Sequence, residues 1–132
     1  MACDVSIRAS HPTVDLQWLT TATSLQPDLV QLSGASYVGH GGRIRTHTKS
    51  LWIVKFDDDE DLAVLVDRAM DAIERNQEKF EEVKSQGGSV DLFAGLFPDG
   101  QIGFTFNASL LQRLAAVGVE FHCTAYGWDR AS

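Results

Sequence analysis

Alternating apolar and polar residues predict strands near both ends of the chain. Residues 3–8 and 119–126 each alternate with a period of two, which gives a strand one buried and one exposed face. Residues 51–56 combine β-branched and aromatic side chains, a composition typical of strands. We therefore predict three strands here, and we expect residues 51–56 to form a central one.

Apolar residues at helical spacing predict three helices. Thr13 is suited to cap a short first helix. The acidic residues 57–61 precede the main helix, since negative charge favours a helix N-terminus, and the glycine pair 87–88 is expected to end it. Asn107 is expected to cap the third helix and Gly118 to terminate it.

Two further alternating stretches predict a β-hairpin late in the chain. They are residues 90–94 and 102–106, on either side of the turn residues 98–100. Phe104 and Phe106 share the parity of the apolar positions in the second stretch. Both phenylalanines are therefore expected in the hydrophobic core.

These elements predict an α+β fold in the order β-α-β-α-β-β-α-β. The sheet is expected to be rich in antiparallel pairs, with the helices on one face, similar to a ferredoxin-like sandwich. A chain of 132 residues has the common size of one domain. We therefore expect residues 1–132 to form a single domain.

The chain is acidic, with a formal net charge of −7. Nucleic acids and anionic membranes are bound through dense positive charge, so general binding to either is not expected. No apolar run approaches the ~20 residues that span a bilayer, and the first residues lack the pattern of an export signal. Cys3 and Cys123 give no disulfide framework, and both fall on apolar strand faces. We expect buried, unreactive thiols and a cytoplasmic location.

Positive charge is concentrated in one glycine-rich segment. No carboxylate occurs from Leu29 to Phe56, and the weak periodicity of residues 31–49 predicts a long loop. Backbone N–H groups and guanidinium groups in such a loop are suited to a phosphate or a carboxylate-bearing partner, whereas the alternative interpretation is a solvated connector. The candidate binding residues of the loop are His40, Arg43, Arg45 and His47.

A second candidate surface is the mixed face of the sheet. Aromatic and polar side chains fall at outward positions of several strands, and such a concentration is suited to bind a small molecule or another protein. Covering by the long loop, or by a second copy of the chain, explains the same aromatic residues. The candidate residues of this face are Trp52, His122 and Tyr126.

The sequence carries no signature of catalysis or of a metal site. The carboxylates of the main helix alternate with Lys and Arg, as on a solvated helix face. The four histidines lack paired ligand spacing, and the adjacent His122 and Cys123 point to opposite faces of a strand. We therefore expect no catalytic residue, no metal and no cofactor.

Five features along the chain carry a resemblance to a known family. They are the polar helix start near Thr13, the turn at residues 25–27, the glycine-rich stretch, Trp52, and the ending at residues 107–126. In these respects nearly the whole chain resembles a bacterial family called domain of unknown function 4279. The usual acidic residue of the last strand is replaced near Cys123. Since the family has no assigned activity, the resemblance implies the fold but no cofactor, substrate or catalytic residue.

We expect a non-catalytic binding or protein-interaction module, with bacterial immunity or antitoxin-type binding as one concrete version. The acidic main helix suits a basic partner. The alternative is a small-molecule-binding or enzymatic domain that uses the glycine-basic loop and the mixed sheet face. The expected partner is a protein, and a homodimer is also compatible with the sequence.

Overall fold

Strands and helices alternate along the chain in the computed structural model, which describes residues 2–57, 61–101 and 103–127. The elements found in those ranges are β1 (Ala2–His11), α1 (Trp18–Thr23), β2 (Leu29–Gln31), β3 (Ser36–Val38), β4 (Ile44–Thr46), β5 (Ser50–Phe56), α2 (Leu62–Arg75), α3 (Gln77–Ser85), β6 (Ser89–Phe97), α4 (Ala108–Val117) and β7 (Phe121–Ala125), with a 3-10 turn at His40–Gly42. No helix among the described residues is long and apolar enough to cross a membrane.

The strands form two sheets. A five-stranded, mostly antiparallel sheet has the order β2-β5-β1-β6-β7, and β3 pairs with β4 in a separate two-stranded sheet. Strand β7 is parallel to β6. The predicted α+β class with an antiparallel-rich sheet is confirmed, and β5 is an interior strand as expected. The element order differs from the predicted one.

The chain divides into two compact units, each built from separate stretches of sequence. One unit holds the described parts of residues 1–7, 55–77 and 91–132, and the other holds residues 8–54 and 78–90. A single domain over residues 1–132 therefore stays a prediction.

Trp52 lies in the core of the second unit. Its side chain is buried, its indole N–H donates to the Thr20 hydroxyl at 3.0 Å, and its ring centroid lies 6.1 Å from that of Phe80. The indole thus has both apolar contacts and a partner for its polar atom, as a buried tryptophan requires. The prediction that Trp52 lies on an exposed sheet face is wrong.

His11 explains why the first helix begins later than predicted. Its Nδ1 accepts the backbone N–H groups of Thr13 and Val14 at 3.0 and 2.9 Å, and its Nε2 lies 2.7 Å from the Gln86 carbonyl oxygen. Since Nδ1 accepts twice, Nε2 carries the proton and donates. The backbone N–H of Thr13 is therefore bound to His11, and Thr13 does not cap a helix. Helix α1 begins at Trp18 instead.

The predicted main helix is two helices, α2 and α3, with Asn76 between them. The Asn76 side-chain amide donates to the Ala72 carbonyl at 2.9 Å, and its backbone N–H donates to Ile73 instead. A side chain that takes the carbonyl four residues earlier competes with the helical hydrogen bond. Asn76 accordingly has φ −119°, and helix α2 ends before it. Residues 58–60 of the expected acidic helix start lie outside the described residues.

Helix α4 has both predicted caps. The Asn107 side chain accepts the Leu110 N–H at 2.8 Å, and Gly118 adopts the left-handed conformation. Leu114 of this helix is buried.

The predicted hairpin is wrong, because described residues 103–107 form no strand. Ile102 lies outside the described residues. Phe104 is 45 % exposed and Phe106 is half-buried, so neither is the fully buried core residue that strand parity predicted.

Arg113 of α4 joins three carboxylates on one face of α2. Its guanidinium donates to Asp67, to Asp71 at 2.7 Å, and to Glu74 at 2.8 and 3.1 Å. The hydrogen bond to Glu74 is the main cause that raises the pKa of Arg113 above its usual range. Like charges four residues apart destabilise a helix. Arg113 removes that repulsion, so these carboxylates are not the purely solvated face that the sequence suggested.

We expect Phe80→Ala and Phe104→Ala to differ widely in stability. Phe80 is 2 % exposed, so its truncation leaves a cavity and costs about 3–5 kcal/mol. Phe104→Ala is expected to cost about 1 kcal/mol, because nearly half of that side chain is already in water. Urea denaturation followed by circular dichroism measures both. Equal losses would restore the core position predicted for Phe104.

We expect Arg113→Ala to destabilise the protein by about 1 kcal/mol, because the three carboxylates then repel one another. The loss should shrink in 1 M salt, where the Debye length is about 3 Å. Arg75→Ala, which removes one exposed arginine from the end of α2, is the matched control. A loss that is the same in low and high salt would show that Arg113 acts through packing alone.

Candidate functional site

The four candidate residues of the glycine-rich segment lie on or beside a β-hairpin. Strands β3 and β4 pair antiparallel, with Tyr37 opposite Arg45 and Val38 opposite Ile44. The predicted loop is thus more ordered than expected. The rings of Tyr37 and His47 stack with centroids 4.2 Å apart and planes inclined by 11°.

The tip of the hairpin depends on glycine. Gly41 and Gly42 have φ of +76° and +77°, a backbone conformation that favours residues without a Cβ atom. The Gly39 N–H donates to the Arg43 carbonyl at 2.8 Å and closes the tip. The run of glycines that weakened the periodic signal is therefore what allows the chain to reverse here.

An apolar pair is exposed on this hairpin. Val38 and Ile44 are 72 % and 77 % exposed, and directly opposite residues of an antiparallel pair project to the same face. Arg45 belongs to the other face, beside Tyr37. Arg43 and Arg45 are exposed, and neither forms a salt bridge with a carboxylate in the described ranges. The hairpin thus offers an apolar pair and unpaired guanidinium groups to a partner.

His122 and Tyr126, the two remaining candidate residues, lie on one face of the β6–β7 pair. The parallel register places Phe93 beside His122, and Phe97 stacks on Tyr126 at 5.2 Å. Phe93 and His122 stack at 4.4 Å with an interplanar angle of 12°. Two stacked ring pairs therefore follow each other along this face.

Gly95 lies between the two ring pairs. A Cβ atom at this position would come within 2.9 Å of the Asp4 Oδ1 and 3.3 Å of a Tyr126 ring carbon. A larger residue here would therefore require the Asp4 side chain and the Tyr126 ring to shift. The Asp4 carboxylate and the Tyr126 ring thus lie close over Gly95 on this face.

Two residues that sequence reasoning missed complete this face. Asp91 and Glu120 lie beside His122, and one ligand atom from each of the three residues lies within 4.8 Å of the other two. Glu120 Oε2 is 3.2 Å from His122 Nε2, and Asp91 Oδ1 accepts the Glu120 backbone N–H at 2.8 Å. The available signal was the Glu-x-His spacing, since residues two apart on a strand share a face.

Two clefts among the described residues offer fewer free polar groups. The cleft beside Arg113 has a volume of about 500 Å³, but its guanidinium is already bound by three carboxylates. A cleft of about 390 Å³ contains Ser10 and His11, whose side chains bond to Ser89 and Gln86. Within the described residues, no buried side-chain polar atom lacks a partner. Neither cleft therefore rivals the hairpin or the β6–β7 face as a binding surface.

Comparison with known families identifies the chain's family. The family model described as Domain of unknown function (DUF4279) matches residues 1–128. The chain belongs to this family. No curated protein and no solved structure is detectably similar to the chain.

Membership of the DUF4279 family confirms the resemblance expected from the sequence, and it brings no activity or ligand with it. The site must therefore be judged from this chain's own residues. Four of the seven candidates, at positions 40, 43, 45 and 47, belong to the hairpin segment, and His122 and Tyr126 belong to the β6–β7 face. Trp52 belongs to neither surface.

Neither Cys3 nor Cys123 forms a disulfide bond. Cys3 is half-buried and Cys123 is exposed, so the expectation that both are buried is wrong. Strand parity does not report whether anything covers a strand face, and Cys123 is exposed although it lies on the face of β7 opposite to His122.

We expect both thiols to alkylate slowly at neutral pH. Partial burial, reinforced by Asp4, raises the pKa of Cys3, and partial burial raises that of Cys123. The thiolate is the reactive form, so reaction with iodoacetamide should have its midpoint at a higher pH than for glutathione. Intact masses of Cys3→Ser and Cys123→Ser over a pH series measure each thiol separately. A midpoint at or below that of glutathione would indicate an activated cysteine.

Proposed function

We propose that this protein is a non-catalytic interaction module whose β3–β4 hairpin binds an acidic partner protein. The observation that carries this proposal is the exposed pair Val38 and Ile44, which lies beside two exposed arginines in a segment free of carboxylates. Binding of the immunity or antitoxin type is one version of this function.

The side chains of the hairpin favour a partner surface that is partly apolar and partly acidic. Burying a valine or isoleucine side chain contributes about 1.5–3 kcal/mol, so an apolar contact for Val38 and Ile44 is a substantial part of a binding energy. Arg43 and Arg45 are suited to bind carboxylates through bidentate hydrogen bonds from their guanidinium groups. A groove with an apolar floor and acidic walls would satisfy both requirements.

A protein fits this surface better than a nucleic acid does. The chain as a whole carries a formal charge of −7, which repels a phosphate backbone. The apolar pair also needs apolar contact, which a phosphate backbone does not provide. A second copy of this chain is an acidic protein too, and the experiment below distinguishes a homodimer from another partner.

A small molecule on the β6–β7 face is the second candidate. The two stacked ring pairs favour a planar ligand, since aromatic faces attract other rings. Replacement of arginines in the hairpin would leave such binding unchanged.

We also infer a cytoplasmic location, because cysteines that form no disulfide bond persist where thiols are kept reduced. The ferredoxin-like arrangement, with the helices on one face, is part of the same proposal.

The hairpin can be tested by placing the photocrosslinker benzoylphenylalanine at Ile44 of the full chain in its native cells. We expect one major crosslinked protein, identified by mass spectrometry, whose contacted peptide carries an excess of Asp and Glu. In a background of Arg43→Ala and Arg45→Ala, the yield should fall at least tenfold, because the contacts to carboxylates are lost. Folding should remain within about 0.5 kcal/mol of the parent, as expected for exposed residues.

Two controls match these variants. The same probe at Leu111, which is 52 % exposed on α4, reports nonspecific crosslinking. Arg75→Ala with Lys79→Ala removes two positive charges from exposed helical positions. Equal yields from both probe positions, or a yield unchanged by the loss of the hairpin arginines, would contradict the proposal. Crosslinks between two copies of this chain alone would replace it with a homodimer.

A further inference from the structure

We propose that Asp91, Glu120 and His122 bind a divalent transition-metal ion of the zinc class at the start of the β6–β7 pair. The site is independent of the hairpin, because it uses residues of the other unit and its test uses the metal alone.

The strand register brings the three side chains together. Leu92 lies beside Phe121 and Phe93 beside His122 in the parallel pair, so Asp91 is adjacent to Glu120. A backbone hydrogen bond supports this pairing, since the Leu92 N–H donates to the Glu120 carbonyl at 2.9 Å. Residues at i and i+2 share a face, so all three side chains project from the same side of the sheet.

The distances are close to those of a coordinated ion. The potential ligand atoms lie within 4.8 Å of one another, and Glu120 Oε2 is 3.2 Å from His122 Nε2. Zinc binds imidazole nitrogen and carboxylate oxygen at about 2.0–2.2 Å. Ligand atoms around a tetrahedral ion are therefore about 3.5 Å apart, so the Glu120–His122 pair already has a suitable spacing. Small side-chain movements would bring the three ligand atoms, now within 4.8 Å of one another, to this spacing.

Neighbouring groups hold two of the ligands in position. The Asp91 carboxylate accepts the Glu120 backbone N–H at 2.8 Å, which leaves its other oxygen for an ion. The His122 ring stacks on Phe93 at 4.4 Å. Such outer-shell contacts orient the ligands of protein metal sites.

The ligand set selects the class of metal. Calcium and magnesium prefer oxygen ligands throughout, whereas an imidazole with carboxylates suits zinc and other late first-row ions. Two carboxylates also balance the charge of a divalent cation. Three protein ligands leave a coordination position for water or for a donor from another molecule.

The test is titration of the full, tag-free chain with ZnCl2, followed by isothermal calorimetry. We expect one zinc per chain, and we expect His122→Asn and Asp91→Asn each to raise Kd at least tenfold. His47→Asn is the matched control, because His47 also stacks on an aromatic ring but lies in a segment without carboxylates. It should leave Kd unchanged.

Thiols are the main competing ligands, so the titration is repeated on a Cys3→Ser, Cys123→Ser variant, which should bind equally well. Cobalt(II) substitution supplies an independent readout, with visible d–d bands and no thiolate-to-metal charge-transfer band. Circular dichroism checks that each variant is folded, and Glu120→Gln provides a third substitution at the most exposed position. Absence of stoichiometric binding, loss of binding in the cysteine variant, or equal Kd for His122→Asn and His47→Asn would each overturn the site.

Discussion

The parallel pairing of β7 with β6 is the constraint on which the C-terminal half of the chain depends. Two parallel strands cannot be joined by a tight turn, because the chain must return to the same end of the sheet before the second strand begins. The described residues between β6 and β7, which include helix α4, belong to that return connection. This is why described residues 103–107 form no strand despite their alternating pattern.

The same pairing decides which side chains meet on the outer face. The residues from Leu92 to Leu96 of β6 each lie beside one residue of β7, so side chains on the same face of the two strands are neighbours. Phe93 consequently stacks on His122, and Asp91 lies near Glu120. An antiparallel hairpin would have paired β6 with the phenylalanines at 104 and 106 and left the carboxylate–histidine group unformed.

Local signals were enough to predict part of the fold and of the candidate site. The Asn107 cap, the Gly118 terminator and the strands β1 and β5 follow from short-range chemistry, and the hairpin residues stood out by their separation from negative charge. Long-range choices could not be predicted. Parity shows which residues share a face but not which face is covered, and for this reason Trp52 was assigned to the surface although it lies in the core.

The distribution of charge changes what the acidity of this chain implies. The net charge of −7 suggested that the main helix attracts a basic partner, yet three carboxylates of α2 already bind Arg113. These carboxylates form ion pairs within one unit, and the ion pairs connect α4 to α2. The carboxylates at 91 and 120 instead lie beside a histidine, a combination suited to a metal ion. Arg43 and Arg45, by contrast, have no such carboxylate partners among the described residues, so their positive charges are available to another protein although the chain is acidic.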